Sequence, residues 1–330
     1  MIRNAQIVAS GMYVPERVIP NSYFNELLDE DVDTWLVENL SIKERRWCNE
    51  NQSTADLCVA AANEILKDGK IFAEELDLII ISTDTPEYIS PSTASVVQFR
   101  LNAVNAGTFD VNTACAGFVT ALDIASKYIK ADKKYNKILV IGAYAMSKYL
   151  NMQDKKTVTL FADGAAGVLL SVTNNENEGF ITSSLHTEGQ YCDWMGIYAG
   201  GTHKPITQKV IEEKDHLLKF VKKFPKEINP TTWTKMIEDA CKELNIKPDN
   251  IDKYFFTQLN INSIWETLDN LGVDRSKGHT IMQNYGYTGS ACIPMAFDDA
   301  RKKGLVKKGD TVLFIGSGGG LAFALSIFKL

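Results

Sequence analysis

The sequence contains no apolar run long enough to cross a bilayer. The run from Leu76 to Ile81 is interrupted by an Asp and falls far short of the ~20 residues a spanning helix needs, so it reads as a buried strand. No basic start followed by an apolar segment opens the chain; no secretory leader is expected, and the cytoplasm is the expected compartment. Nor is there an excess of positive charge. Lys and Arg number 35 against 41 Asp and Glu, a net charge of −6 with a pI near 5.4, which argues against the basic footprint of a nucleic-acid binder. The six cysteines include no CxxC pair, and the four histidines join none of them at zinc-finger spacing. Neither a disulfide framework nor a metal site is expected. By default each cysteine is a small buried hydrophobe.

What the chain does have is core: 45% of its 330 residues are hydrophobic, enough for two domains or one large α/β unit. β-branched runs bounded by turn residues predict strands at 5–10, 76–82, 136–142, 167–172, 180–185, 253–258, 311–316 and 322–328. Helical patterns lie between them at 53–68, 92–101, 117–130, 231–244, 263–271 and 290–303. The order recurs: each half reads β-α-β-α-β-α-β-β, with a polar, turn-rich break at 173–178 (TNNENE). Two halves are therefore expected, 1–174 and 175–330, the second with an insertion at 187–230 that has no counterpart in the first. The strands at 76–82 and 253–258 are apolar runs rather than alternating patterns, as in sheets covered by helices on both faces. Two such units stacked about a pseudo-twofold axis would make a layered αβαβα body.

One cysteine departs from the default. Cys115 stands just ahead of a predicted helix in TFDVNTACAGF (108–118), flanked by Ala114, Ala116 and Gly117. Small neighbours permit a tight turn and the approach of a substrate, and the positive end of the helix favours thiolate over thiol. Thiolate is the nucleophilic form, suited to thioester exchange; a buried Cys at a strand–helix junction is the alternative. A second feature is GSGGG at 316–320, directly after a predicted strand. It lacks the Lys-Ser/Thr of a P-loop and the spacing of a dinucleotide fingerprint. Close backbone approach, with a glycine N–H aimed at an oxyanion, is one use; a plain tight turn is another.

These motifs, with 43–46 (KERR), 109–118 (FDVNTACAGF), 161–167 (FADGAAG), 258–260 (QLN) and 285–294 (YGYTGSACIP), resemble the β-ketoacyl-acyl-carrier-protein synthase III family over nearly the whole chain. The resemblance implies the five-layered thiolase fold, a homodimer, and acyl transfer through Cys115. It also implies an oxyanion hole from the Cys115 and Gly318 N–H groups. No permanently bound cofactor is implied, coenzyme A thioester being a substrate. Two catalytic positions depart from the family's pattern: its histidine is Thr257 here, and its asparagine is Tyr287. In the family both donate to the enolate formed when a malonyl thioester loses carbon dioxide. Removing one such donor typically costs about a hundredfold to a thousandfold, and neither hydroxyl replaces histidine as a base near neutral pH.

Asp84, in the strand end that the internal repeat makes the counterpart of 257–260, is a candidate acid or base, and a capping aspartate otherwise. That place also resembles the one where hydroxymethylglutaryl-CoA synthases carry a catalytic glutamate. Glu87 is a weaker candidate, and His186, His203, His216 and His279 fall outside the catalytic blocks. The resemblance makes Trp35, Lys155, Asn260 and Ser90 substrate-binding positions. Trp35 falls where the family stacks adenine, with Asn39 and Lys155 in place of the usual arginines, while Ser90 replaces an aromatic contributed across the dimer. Lys219, Lys222, Lys223 and Lys226 form a basic run suited to an acidic carrier protein, or a solvated helix face. The leading expectation is an acyltransferase that loads from acyl-CoA or acyl-carrier protein. Ordinary decarboxylative condensation, a non-catalytic partner subunit of a heterodimer and thioester hydrolysis remain as alternatives.

Overall fold

The computed structural model describes residues 3–330. The first half opens with β1 (Asn4–Tyr13), β2 (Val18–Pro20), α1 (Asn21–Leu28), α2 (Asp33–Leu40) and β3 (Glu44–Arg46). It continues through α3 (Thr54–Gly69), β4 (Leu78–Ser82), α4 (Thr93–Leu101), β5 (Gly107–Val111), α5 (Gly117–Ala131), β6 (Lys137–Ala145), α6 (Lys155–Val158) and β7 (Asp163–Thr173). The second half holds β8 (Gly179–Thr187), β9 (Met195–Gly196), α7 (Gln208–Glu212), β10 (Lys219–Phe220), α8 (Ile228–Glu243) and β11 (Lys253–Phe256). It ends with α9 (Ile261–Asn270), α10 (Met282–Tyr285), α11 (Cys292–Lys302), β12 (Thr311–Gly318) and β13 (Ala322–Lys329).

Two sheets carry the fold, and they repeat one another. The first has the order β1-β7-β6-β4-β5 and the second β8-β13-β12-β11, written from the corresponding edge. The inner pairs correspond in direction: β4 runs parallel to β6 as β11 does to β12, and β1 runs antiparallel to β7 as β8 does to β13. Where the first sheet ends in β5, the second has only a bridge between Tyr254 and Gly278. Strand β4 (LIIIS) is buried at every position, as a central parallel strand must be. Helices α5 and α11 lie between the sheets, α5 packing on β4, β6, β12 and β13 and α11 on β1, β7, β11 and β12. Helices α3 and α4 cover one outer face; α8 and α9 cover the other. The result is the five-layered, thiolase-like αβαβα arrangement.

The periodicity located the long elements to within a few residues. It did not predict β5, whose sequence GTFDV has no run of β-branched residues and which pairs on one side only. Nor did it predict α1 and α2, eight residues each. Those two short helices hang on Arg45, which is fully buried. Its guanidinium donates to Ile19 O (3.2 Å), Asn21 Oδ1 (2.7 Å) and Thr159 O (2.6 Å) and lies 4.6 Å from the centre of the Phe24 ring. With no carboxylate paired to it, burial lowers its pKa to about 9.

Candidate active site

The C-terminal ends of β5, β11 and β12 converge beneath a cavity of about 710 Å³, a size common for ligand pockets. Cys115, Thr257, Tyr287 and Gly318 all line it, and Cys115 is the one cysteine that does. Its walls include Met195, Phe220 and Phe224 from the insertion, facing Leu259 and Leu321. Exposed Trp35, Lys223, Lys226 and Asn260 stand at its rim.

Cys115 reaches this place through a forced turn. After β5 ends, the Asn112 side chain accepts the Ala114 N–H (3.0 Å), and Ala114 adopts φ 46°, a left-handed conformation uncommon for a residue with a Cβ. Ala116 N then bonds Thr113 O (3.2 Å) and Gly117 N bonds Ala114 O (2.9 Å), which sets the sulfur one residue ahead of the α5 N-cap. The glycine-rich turn closes on the same backbone. A Cβ on Gly318 would lie 2.6 Å from Cys115 N and from Thr113 O, and one on Gly316 would lie 2.9 Å from Ala116 Cα. Only glycine permits that approach.

The expectation of a dipole-stabilised thiolate needs correction. Cys115 is 2% exposed, and burial pushes its thiol well above the usual range. The nearby Asp84 charge pushes it further, and hydrogen bonding with the Tyr287 hydroxyl opposes both without overturning them. One turn of helix dipole is a weaker effect than removing a thiolate from water. Burial and the Asp84 charge therefore both favour the thiol over the thiolate.

Thr257 lines the cavity with its hydroxyl turned toward β12. Its hydroxyl accepts the Ser317 N–H (3.0 Å) and points its own proton toward Ser317 O (3.4 Å), tying β11 to β12. Tyr287 is 1% exposed; its backbone bonds Leu160 O and Ala162 N (2.9 Å each), and its ring packs on Phe161, 5.4 Å between centres. Gly286, at φ 60°, makes the turn that brings it there. Gln258 stitches the neighbouring loop, accepting Ile281 N (2.8 Å) and Met282 N (3.2 Å).

None of the four histidines lines the cavity. His279 bonds Asp299 (2.7 Å), and His186 lies 3.6 Å from Glu188. Glu87 caps α3 through the Ala55 N–H (2.9 Å) and lies 3.6 Å from Arg100, a structural role. Asp84 differs: the residue is partly exposed, yet its Oδ1 is closed off from solvent and has no hydrogen-bond partner. Burial raises its pKa to about 6.

The outer positions divide. Trp35 is 54% exposed at the rim, and the Asn39 amide folds back onto Trp35 O (2.9 Å). Asn260 lines the cavity and caps α9 through Asn262 N (3.0 Å). Lys155 is not in the lining; both oxygens of Glu30 hold it, at 2.8 and 2.9 Å. Ser90 is exposed and lies outside the cavity of its own chain. The basic run is not one face: Lys219 sits in β10, paired with Asp215, and Lys222 pairs with Asp193 (3.3 Å), which leaves Lys223 and Lys226 at the rim. Among the described residues no group of three or more potential metal ligands occurs, and no helix is long and apolar enough to cross a membrane.

Sequence reasoning missed the strained Ala114, for which the Asn two residues earlier was the available signal. It also missed the wall built from Met195, Phe220 and Phe224, residues far apart from any motif. Two family models match the chain: 3-oxoacyl-[acyl-carrier-protein (ACP)] synthase III over residues 109–189 and its C-terminal counterpart over 241–330. The chain is 36% identical over 333 residues to a β-ketoacyl-[acyl-carrier-protein] synthase III of Natranaerobius thermophilus, covering 99% of each. It is 34% identical over 332 residues to a protein of the same name from Clostridioides difficile, covering 100% of this chain and 99% of that one. The crystal structure of 3-oxoacyl-[acyl-carrier-protein] synthase III from Aquifex aeolicus superposes with a TM-score of 0.88 at 29% identity, over 99% of this chain and 100% of that one.

Proposed function

Given that the chain belongs to the 3-oxoacyl-[acyl-carrier-protein] synthase III family, we propose that Cys115 takes an acyl group from coenzyme A or acyl-carrier protein and passes it to an acceptor. The observation that carries this reading is one thiol at the base of a deep cavity, its backbone pressed against a glycine turn. The sulfur attacks the thioester carbonyl, and the developing oxyanion draws on the Cys115 and Gly318 N–H groups. The bond from carbon to the donor sulfur then breaks, leaving the acyl group on Cys115.

For the second step two readings have separate support. The relatives' names, β-ketoacyl-[acyl-carrier-protein] synthase III, favour making a β-ketoacyl-carrier protein, for which the route we infer is decarboxylative condensation with a malonyl thioester. The side chains favour a different acceptor, a hydroxyl, amine or thiol, because a threonine hydroxyl bonded to Ser317 and a buried tyrosine ring stand where the family's histidine and asparagine would donate. Loading is common to both. The partner we infer is a second copy of the chain: β5 is a free sheet edge, and beside it Ile89 (87%), Phe99 (83%), Val104 (62%) and Tyr88 (54%) are exposed. Lys223 and Lys226 would meet an acidic carrier protein.

Intact-mass spectrometry after incubation with acyl-CoAs and acyl-carrier proteins tests the first step. A covalent acyl adduct that disappears in Cys115→Ala supports the reading, and its absence with every donor sinks it. Release of carbon dioxide from malonyl-carrier protein by the loaded enzyme selects condensation; its absence selects the other acceptors.

A further inference from the structure

An acyl carbon under attack by Cys115 carries three other substituents, and each needs its own space. The oxygen goes to the Cys115 and Gly318 N–H groups on the reading above. The donor sulfur leaves toward the rim, where Trp35, Lys223 and Lys226 stand. The acyl chain is left to face the remaining walls. Tyr287 is one of them, in the same lining as Cys115, and it stands where the family carries the much smaller asparagine. Its hydroxyl is near enough to the thiol to oppose the effect of burial on it.

Rings fill the space behind Tyr287. Its centre lies 5.4 Å from that of Phe161 and 6.4 Å from that of Tyr144, and those two lie 6.3 Å apart. Phe220, from β10 in the insertion, extends the wall at 6.3 Å from Phe161. Tyr144 and Phe161 are fully buried, and neither lines the cavity. The wall is also held in place. Tyr287 and Phe161 form a parallel bridge, with Tyr287 N bonding Leu160 O and Ala162 N bonding Tyr287 O (2.9 Å each). Phe161 O in turn accepts the Trp47 indole N–H (2.9 Å). The Tyr144 ring presses on Gly289, where a Cβ would come within 2.5 Å of it. Rings packed this closely on bonded backbone do not make room as a loop would.

We propose that the Tyr287 ring, backed by Phe161 and Tyr144, sets the length of the acyl group Cys115 carries, admitting acetyl to butyryl chains and excluding longer ones. The inference rests on the reading of Cys115 as the acyl carrier. It gives the side chain at the asparagine position a part in choosing the substrate, through the volume of its ring. The transfer itself balances: the Cys115 sulfur–carbon bond forms, the donor carbon–sulfur bond breaks, and the thiol proton ends on the departing coenzyme A or carrier thiol. A chain longer than the space before Tyr287 must displace a ring that is packed on three sides, and overpacking of that kind is resisted.

The test follows loading by intact mass from acetyl-, butyryl-, hexanoyl- and octanoyl-CoA, and from the matching acyl-carrier proteins. It compares wild type with Tyr287→Phe, Tyr287→Ala and Tyr144→Leu. The readout is the ratio of hexanoyl to acetyl loading, which a general loss of activity or of folded protein leaves unchanged. In wild type that ratio should be about a tenth or lower. Tyr287→Phe keeps the ring and should keep the ratio. Tyr287→Ala should raise it about tenfold or more, and Tyr144→Leu, which gives the Tyr287 ring room to lean back, about threefold. The proposal is overturned if wild type loads hexanoyl as fast as acetyl, a result that needs no variant to fold. It is also overturned if Tyr287→Ala keeps the wild-type ratio, or if Tyr287→Phe shifts it as far as Tyr287→Ala does. Absence of any adduct in wild type with every donor would instead sink the acyl-transfer reading itself.

Discussion

Adjacent glycines in the turn at 316–320 make opposite predictions. At Gly318 an added methyl would meet Cys115 N and Thr113 O at 2.6 Å and Ala116 N at 2.9 Å. All three are backbone atoms, so none can swing aside. An ordinary contact begins near 3.4 Å, which leaves Gly318→Ala short by about 0.8 Å at two atoms. Relief requires moving the nucleophile turn away from β12. Overpacking of this kind costs about 1–3 kcal/mol, a few degrees in Tm. Displacing an oxyanion donor costs about a hundredfold to a thousandfold in rate. At Gly319 the nearest atom is Met195 O at 3.5 Å, an ordinary contact. Gly319→Ala should therefore load within a few-fold of wild type and melt within about a degree of it. Acyl loading by intact mass and thermal melting read both variants. If Gly318→Ala loads normally, or if the two variants are impaired alike, the close packing of this turn on Cys115 is not what orients the site.

Thr257→His with Tyr287→Asn should raise carbon dioxide release from malonyl-carrier protein at least tenfold, and an unchanged rate would refute the account of the missing donors. The same double variant should melt lower, since Tyr287→Asn removes a buried ring packed on Phe161 and Tyr144. Asp84→Asn should be more stable than wild type at pH 7–8. The carboxyl is raised from 3.8 to about 6 in the fold, so its cost is absent below about pH 4 and complete above about pH 6. The gain, about 1–3 kcal/mol allowing for the residue's partial exposure, should appear as pH rises through that window in denaturation curves; a difference independent of pH would contradict it. Lys223→Glu with Lys226→Glu should slow loading from acyl-carrier protein severalfold at low salt, less at high salt, and leave loading from acyl-CoA nearly unchanged. Equal slowing with both donors would place those lysines elsewhere in the mechanism.

The elements read well from the sequence were those whose burial is written in local pattern. Residues 78–81 are apolar without a break because the strand is covered on both faces, helix α3 shows one apolar face, and the helices between the sheets, α5 and α11, are buried nearly all round in their first turns. β5 left no such trace, because a polar edge strand owes its conformation to its neighbour β4. The lysine run misled for a related reason. Proximity in sequence suggested one basic face, whereas Asp215 and Asp193, brought in by the fold, hold Lys219 and Lys222.

The order of elements and the internal repeat were legible in the sequence alone, and so was the choice of Cys115, Thr257 and Tyr287 as candidates, since each is a matter of which residue stands where in a motif. Only the tertiary structure decided that burial pushes the Cys115 thiol up against the pull of the helix, that the Thr257 hydroxyl accepts the Ser317 N–H, and that Asp84 has an oxygen with no partner. Protonation and hydrogen bonding depend on solvent exclusion and on the distances between groups. Those are set by how two sheets, far apart in sequence, close on the helices between them.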